Sequence, residues 1–290
     1  LDDPRVVEVR DRNGLGCDAQ WSDDFHHALH SALTGERAGY YADFGSVADV
    51  VQALRDVFVN AGKYSRLRQR RHGRPVGDVP RTRFLGYMQD HDQVGNRARG
   101  ERSAALMSTG RLQVAAALVL LGPFVPMLFA GEEWAASTPF QYFTDHQDQE
   151  LGRRVSEGRR REFASFGWTA ENVPDPQDPA TFQRSKLDWD ERVREPHATM
   201  LRWHRELVAL RAASASLRDG NRSTTAVDHD EERRWLVMRR PGLTVACHWG
   251  EGIVHLPVAR ATVLLSNVAH EWTSAGLAVP ADGVVVVLGS

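Results

Sequence analysis

The stretch Phe84-Leu-Gly-Tyr-Met-Gln-Asp-His-Asp-Gln-Val-Gly-Asn-Arg97 decides the fold, because a short apolar run passes directly into charged and amide side chains. The composition of Phe84–Met88 predicts a buried strand, and a polar loop is predicted from there to about Ser103. The apolar pattern of residues 110–121 then predicts a long helix. Strand, polar loop and helix in this order form the repeating unit of α/β proteins.

The same order of elements is predicted on both sides of this unit. Residues 18–21 precede a helix that is predicted from Ser22 to Leu33, with Gly35 as its stop signal. A second amphipathic helix is predicted over residues 47–58. Beyond the helix stop at Gly122-Pro123, residues 125–130 are predicted to form another buried strand. The region therefore has the pattern of an α/β fold.

The pattern changes at about Leu217, beyond a further helix that is predicted over residues 197–210. Short β-branched runs separated by Gly and Pro turns follow, and they predict a small all-β domain. They are Trp235–Met238, Leu243–Trp249, Ala261–Leu265 and Gly283–Leu288. We therefore predict an α/β region over 1–216 and a β-sandwich-like domain over 217–290.

The composition excludes several functional classes. Apolar residues make up 42% and charged residues 26% of the 290 residues, as in soluble globular proteins. The 36 basic and 38 acidic residues leave a net charge of −2, so no overall field favours nucleic acid or an anionic membrane. Two prolines, Pro123 and Pro126, keep the apolar run around Leu118 below the ~20 residues of a transmembrane helix. The basic run that ends at Arg83 favours a solvated loop over a polyanion site.

Cysteine and histidine placement predicts neither a disulfide framework nor a metal site. Cys17 and Cys247 are the two cysteines, and they lie outside any ligand-type spacing, which fits a cytoplasmic protein with reduced thiols. His26 and His30 are four residues apart, but no further ligand pattern accompanies them. The sequence begins without an initiator Met or a signal-peptide pattern, so we expect a fragment or a processed piece.

Polar and aromatic side chains cluster where three predicted strands end. They lie in 89–97, in Trp21-Ser-Asp-Asp-Phe-His-His27 and in Ala130-Gly-Glu-Glu-Trp134. In a β/α barrel these junctions meet at the face that carries active-site loops. A pyranose offers a ring face to aromatic side chains and hydroxyls to carboxylates, His and Asn, so the combination suits a sugar. A solvated turn is the alternative for each stretch taken alone, since Asp, Asn and Gly are turn formers.

Four segments resemble the maltooligosyltrehalose trehalohydrolases, a family of the α-amylase superfamily. They are Trp21–His27, Gly39-Tyr-Tyr-Ala-Asp-Phe44, Phe84–Arg97 and Pro126–Phe143. The resemblance spans most of residues 1–215. The opening residues Leu1–Arg5 resemble the family's sequence just after the barrel strand that bears the general-acid Glu. The implied fold is the second half of a (β/α)8 TIM barrel followed by the small all-β domain.

The resemblance also implies a catalytic role for Asp92. In the superfamily motif that His91 and Asp92 match, the Asp stabilises the transition state and the His binds the sugar in the −1 subsite. The nucleophilic Asp and the general-acid Glu would lie upstream of Leu1. Asp90 stands where relatives usually carry Asn, a change that removes hydrogen-bond donors and adds a charge. Residues 1–290 alone are therefore expected to be inactive.

For the intact enzyme, the resemblance implies a retaining hydrolysis of the α-1,4 bond next to the terminal trehalose unit of maltooligosyl trehalose, in trehalose biosynthesis. Water is the co-substrate, and no cofactor or metal is implied. The expected partner is maltooligosyl trehalose or a related α-1,4-glucan, with no nucleic acid and no membrane. The expected substrate-binding residues are His91, Gln93, Val94, Gly95, Asn96, Asp23, Asp24, Phe25, His26, His27, Glu133, Trp134 and Phe143.

Two alternatives stay open at this point. The first is a glycogen-debranching or branching enzyme of the same superfamily, which would also carry a His-Asp motif at this place. The motifs Asp23-Asp-Phe-His-His27 and Phe140-Gln-Tyr-Phe-Thr-Asp-His146 favour the trehalohydrolase. The second is a non-catalytic glucan-binding fragment, in which the β domain serves as an accessory module.

Overall fold

The computed structural model describes residues 2–164, 173–221 and 224–289; Leu1, where the resemblance begins, lies outside them. The helices in these ranges are α1 (Asp23–Thr34), α2 (Val47–Asp56), α3 (His91–Gly95), α4 (Thr109–Leu121), α5 (Gln149–Ala164), α6 (Pro179–Arg184) and α7 (His197–Ala213). The ends of α1, α2, α4 and α7 lie within a few residues of the predicted ones. Gly35 ends α1 with φ 82°, a left-handed conformation that favours glycine.

Three short parallel strands form the α/β sheet. They are β1 (Gln20–Trp21), β4 (Phe84–Gly86) and β5 (Val125–Pro126), in the order β1-β4-β5. Helices connect these parallel strands, which is the geometry of a barrel segment. The strand predicted over 125–130 is shorter than expected, and it is not buried, since Val125 is 39% exposed.

The predicted solvated loop before Arg83 contains a β-hairpin. Its strands are β2 (Lys63–Ser65) and β3 (Arg70–His72), which pair antiparallel. The sequence did not indicate it, since both strands are short and consist of basic, polar and aromatic residues without an apolar face. The predicted polar loop after β4 likewise contains the five-residue helix α3.

The C-terminal strands form two packed sheets, as in a β-sandwich. The five-stranded sheet has the order β10-β13-β8-β7-β6 and the three-stranded sheet the order β11-β12-β9. Their bounds are β6 (Ala226–Asp230), β7 (Trp235–Arg240), β8 (Leu243–His248), β9 (Ile253–Leu256), β10 (Val263–Ser266), β11 (Glu271–Thr273), β12 (Gly276–Pro280) and β13 (Gly283–Leu288). One core contains Val237 and Val285 from the larger sheet and Leu256 and Leu277 from the smaller.

Half of these strands match the predicted runs. The strands β7, β8, β10 and β13 are rich in β-branched and other apolar residues, and they lie at or close to the predicted positions. The strands β6, β9 and β11 carry charged or polar residues, so their hydrophobic signal is weak, and Gly276 and Pro280 flank the three apolar residues of β12. The boundary between residues 216 and 217 stays a prediction.

The described chain divides into two compact units. The first contains Leu1–Met88, Ser108–Met127 and Trp203–Ser290, and so holds the parallel sheet and the β domain. The second contains Gln89–Met107 and Leu128–Arg202. Among the helices of the described ranges, none combines the length and the apolar composition that crossing a bilayer requires.

Candidate functional site

The first group of predicted site residues lies in the first turn of α1, directly after β1. The hydroxyl of Tyr87, which follows β4, donates a hydrogen bond of 2.5 Å to Oδ1 of Asp23. His26 is buried, with Nδ1 2.6 Å from the carbonyl oxygen of Met88 and Nε2 3.0 Å from the hydroxyl of Tyr41. These bonds join the segments that follow two adjacent parallel strands, so the junctions meet as the barrel pattern predicts.

Burial shifts the protonation of the two neighbouring histidines. The pKa of His26 lies well below its ordinary value because burial disfavours the imidazolium, and the nearby His27 adds to this effect. Burial also lowers the pKa of His27 to about 4, against the opposing effect of Asp23. Both rings are therefore neutral at pH 7 and can serve as hydrogen-bonding groups.

Asp24 and Phe25 are structural in this geometry. Asp24 accepts hydrogen bonds from the backbone N–H of Asn60 at 2.7 Å and from its Nδ2 at 3.2 Å. Burial, with the nearby Asp2, raises the pKa of Asp24 to about 7. Phe25 is fully buried, and its ring lies 4.9 Å from that of Phe124. Both side chains are buried, and their expected contact with sugar stays a prediction.

A small polar cavity adjoins the start of α1 within the first unit. It encloses about 30 Å³, room for a single water. Its lining includes the predicted residues Asp23, Asp24 and His27, and also Tyr40 and Arg68. A larger open cleft of about 500 Å³ shares Asp43, Phe44 and Asn60 with it. Asp23 and His27, both half-buried, are the members of the predicted set on α1 that retain accessible surface.

The second group of predicted residues lies on the short helix α3 in the second unit. His91 and Asp92 are more than half exposed, and His91 Nε2 lies 3.5 Å from Asp92 Oδ1. Gln93 is half-buried, Val94 and Gly95 are buried, and Asn96 is exposed. An exposed carboxylate beside an imidazole is available to bind hydroxyls or to stabilise positive charge.

Asp90 has a structural role at the start of α3. Its Oδ1 accepts from the backbone N–H groups of Asp92 at 2.7 Å and Gln93 at 3.3 Å, while the Gln93 side chain accepts from the N–H of Asp90. This reciprocal cap begins α3, and Asn serves it as well as Asp does. Burial raises the pKa of Asp90.

A buried carboxyl group in the Ala130–Trp134 stretch, which was not among the expected site residues, contacts the residue before this segment. Glu132 is 8% exposed, and the Gln89 side chain donates a hydrogen bond to it. Gln89 in turn accepts from the backbone N–H of Ser103 at 2.9 Å. Burial raises the pKa of Glu132 to about 8, so the carboxyl is mainly protonated at pH 7. Glu132 thus supports the residue that leads into the Asp90–Asp92 segment.

The remaining predicted residues differ in accessibility. Glu133 is half-buried and accepts from the N–H of Gly131 at 2.9 Å. Trp134 is 1% exposed, with its ring 5.0 Å from that of Trp189, and its expected contact with sugar stays a prediction. Phe143 is half-buried, with its ring 5.0 Å from that of Phe182.

The part of the chain that the structure describes holds no group of three or more His, Cys, Asp or Glu side chains arranged to bind a metal ion. His30 Nε2 lies 2.7 Å from a carboxylate oxygen of Glu36, and protein groups hydrogen-bond both ring nitrogens of its neighbour His26. The accessible groups on α1 and α3 are carboxylates, imidazoles and amides.

Comparisons with known proteins find close relatives. No family model matches the chain. The malto-oligosyltrehalose trehalohydrolase of Mycobacterium tuberculosis (strain ATCC 25618 / H37Rv) is 48% identical over 264 residues, which cover 90% of this chain and 46% of that protein. The Arthrobacter ramosus protein of the same name is 46% identical over 291 residues, or 99% of this chain and 49% of the relative. The chain spans about half the length of the curated relatives it matches.

Solved structures of similar fold are also found. A Salmonella typhimurium protein, described as a candidate α-amylase, is 35% identical with a TM-score of 0.80, covering 94% of this chain and 47% of that one. The catalytic module of the glycogen-degrading pneumococcal protein SpuA has a TM-score of 0.59 at 16% identity over 94% of this chain and 43% of its own. These likenesses confirm the predicted fold class, a partial (β/α)8 barrel with a C-terminal all-β domain.

Proposed function

Because this chain belongs to the malto-oligosyltrehalose trehalohydrolase family of the α-amylase superfamily, we propose that it is part of a glycosidase that acts on maltooligosyl trehalose. The bond cleaved is the α-1,4 bond next to the terminal trehalose unit, and trehalose is the product, which implies a role in trehalose biosynthesis. The observation that carries this proposal is the sequence identity, 39% to 48%, between this chain and relatives named malto-oligosyltrehalose trehalohydrolase.

In this proposal, Asp92 stabilises the transition state. A retaining glycosidase forms positive charge at the anomeric carbon, flanked by a nucleophilic carboxylate and a proton donor. The carboxylate of Asp92 is exposed and stands at the start of a helix, beside His91. Ionised, it would accept hydrogen bonds from sugar hydroxyls and offset that charge more strongly in the transition state than in the ground state.

The accessible members of the predicted set supply the sugar contacts. We assign this role to His91, Gln93 and Asn96 in the second unit, and to Asp23 and His27 in the first. We assign the same role to Glu133 and Phe143, which are both half-buried. The buried residues Asp24, Phe25, His26, Val94, Gly95 and Trp134 would act by supporting these side chains. The nucleophile and the proton donor belong to a part of the protein outside residues 1–290, and the proposed location is the cytoplasm.

The deciding experiment is product analysis of the full-length protein with maltooligosyl trehalose. Release of free trehalose together with a shortened maltooligosaccharide is expected. Release of glucose or maltose alone would instead indicate another activity of the superfamily, such as debranching. Residues 1–290 tested separately should give no turnover, and turnover by that piece would contradict the assignment of two carboxylates to the rest of the protein.

A further inference from the structure

The short helix α3 depends on contacts at its two ends for its position. Five residues are too few for a helix to be stable by itself, because nucleation costs more than so few hydrogen bonds return. Asp90 and Gln93 hold the N-terminal end through the reciprocal cap. The carboxylate of Asp92 is largely exposed, so its own side chain contributes little to holding the helix.

Arg159 of α5 holds the other end. Its Nη2 donates to the carbonyl oxygen of Gly95, and its Nη1 donates to Oδ1 of Asn96 at 2.9 Å. The guanidinium lies over the ring of Tyr142, 4.6 Å from the ring centre. The Arg159 side chain is 10% exposed, and its Nη1 lies 3.3 Å from Oε2 of Glu162. Arg159 is therefore fixed by a ring, an acid and the end of α3 together.

This arrangement requires the shape of arginine as well as its charge. The planar guanidinium presents several N–H groups in fixed directions, so one side chain reaches a backbone carbonyl and a side-chain amide at once. A cation at the C-terminal end of a helix also interacts favourably with the carbonyl groups there. Burial lowers the pKa of Arg159, a cost that a solvated arginine would not bear.

The bond to Asn96 has a consequence for substrate binding. Because Oδ1 of Asn96 accepts from Arg159, the amide is oriented with Nδ2 as the remaining donor. Asn96 is exposed, so this Nδ2 can donate to a sugar hydroxyl. Arg159 thus holds the backbone that follows Asp92, at Gly95, and orients the side-chain amide of Asn96.

We propose that Arg159 is a positioning residue for the reaction, acting on Asp92 through the C-terminal end of α3 and on substrate through Asn96. This inference rests on the proposed function, since it requires Asp92 to act in the chemical step. A displacement of about 1 Å at a reacting group is enough to cost on the order of 100-fold in rate. The Arg159 bonds are the contacts whose loss would permit such a displacement.

The test is a double-mutant cycle in the full-length protein, with trehalose release as the assay. We expect Arg159→Met to lower kcat by about 10- to 100-fold. In the Asp92→Asn background the same change should lower kcat by less than about threefold, because there is no ionised carboxylate left to position, while the loss of the oriented Asn96 amide should raise KM in both backgrounds. Arg159→Lys should recover only part of the loss, since an ammonium lacks the planar fork.

The control variant is Arg154→Met on the same helix, where Arg154 is 71% exposed and pairs with Glu150. It should leave kcat and KM unchanged. Equal losses from Arg159→Met in both backgrounds would overturn the proposal, because they would mean a general effect on folding. If Arg159→Met does not fold, the cycle is carried out with Arg159→Lys and judged by the same criterion. Near-normal kcat in Asp92→Asn alone would instead reject the proposed role of Asp92.

Discussion

The hydroxyl of Tyr87 donates a hydrogen bond of 2.5 Å to Oδ1 of Asp23. Tyr87 follows β4 and Asp23 begins α1 after β1, so this bond joins the ends of two neighbouring parallel strands. The ring of Tyr87 is fully buried and stacks on His26, with ring centres 5.7 Å apart. A carboxylate proposed to bind sugar is thereby oriented by a residue that itself has no access to solvent.

Replacing Tyr87 with Phe should lower the free energy of unfolding of the full-length protein by about 1.5–3 kcal/mol, because it removes a hydrogen bond to a charged acceptor. Urea denaturation measures this. Tyr64→Phe is the matched control, since the exposed Tyr64 donates to Gln69 at 3.2 Å, and a change below ~0.5 kcal/mol is expected. Equal losses of unfolding free energy in the two variants would show that the bond to Asp23 does not stabilise the protein more than an exposed hydrogen bond does.

Replacing Asp92 with Asn should lower kcat for trehalose release by about 10³-fold or more, because the amide cannot offset developing positive charge. The side chain is 65% exposed, so the free energy of unfolding should change by less than ~0.5 kcal/mol. Asp90→Asn is the control, since Asn retains the capping oxygen and kcat should stay within a few-fold. Near-normal kcat in Asp92→Asn would remove this residue from the mechanism.

The buried carboxyl of Glu132 should make stability depend on pH. Its pKa is raised to about 8 from 4.5, so the folded protein retains a proton that the unfolded chain releases between these values. The stabilisation is therefore fully present below pH ~4.5 and falls by about 1.4 kcal/mol per pH unit as the pH rises toward 8. Glu132→Gln should remove this dependence, so that its free energy of unfolding rises relative to that of the wild type as the pH increases.

The measurement for Glu132 is the difference between the unfolding free energies of the two proteins across the neutral and mildly acidic range. Taking the difference cancels the titration of other buried acids, including Asp24. Parallel pH profiles for the wild type and Glu132→Gln would mean that Glu132 is ionised in the folded state, contrary to the prediction.

Arg240 is expected to be important for stability. It is 4% exposed, and it donates to carbonyl oxygens at the end of α4 and in the segment before β6. These belong to Leu121, Gly122, Ser216, Leu217 and Asp219. Arg240→Met should lower the free energy of unfolding by about 2–4 kcal/mol, since it leaves buried carbonyl groups unsatisfied. Thermal unfolding of the full-length protein measures the effect.

The neighbouring Arg239 is the matched control for Arg240. Its side chain is 38% exposed and pairs with Asp228 on the adjacent strand. Arg239→Met should cost less than ~1 kcal/mol, because an exposed ion pair contributes little. A similar loss in both variants would indicate that β7 tolerates no substitution, and that the carbonyl contacts of Arg240 are not the cause.

The sequence predicted the features that depend on neighbouring residues. Helical spacing and capping residues predicted α1, α2, α4 and α7, and β-branched runs predicted half of the strands in the C-terminal sheets. The segment around Asp92 carries enough specific residues to indicate the family from the sequence alone. Short strands such as β9 escaped prediction, because four residues with mixed polarity do not produce a distinct pattern.

Which of these side chains are accessible was decided by the tertiary structure. In the sequence, Phe25 and Trp134 are aromatic residues of the kind that contact sugars. In the structure, packing against Phe124 and Trp189 buries them. Arg159 gave no signal, because its contact with Gly95 joins residues 64 positions apart. Local pattern sets helices, strands and motif identity, whereas burial and long-range hydrogen bonds exist only once distant segments pack together, and they select which residues can meet a substrate.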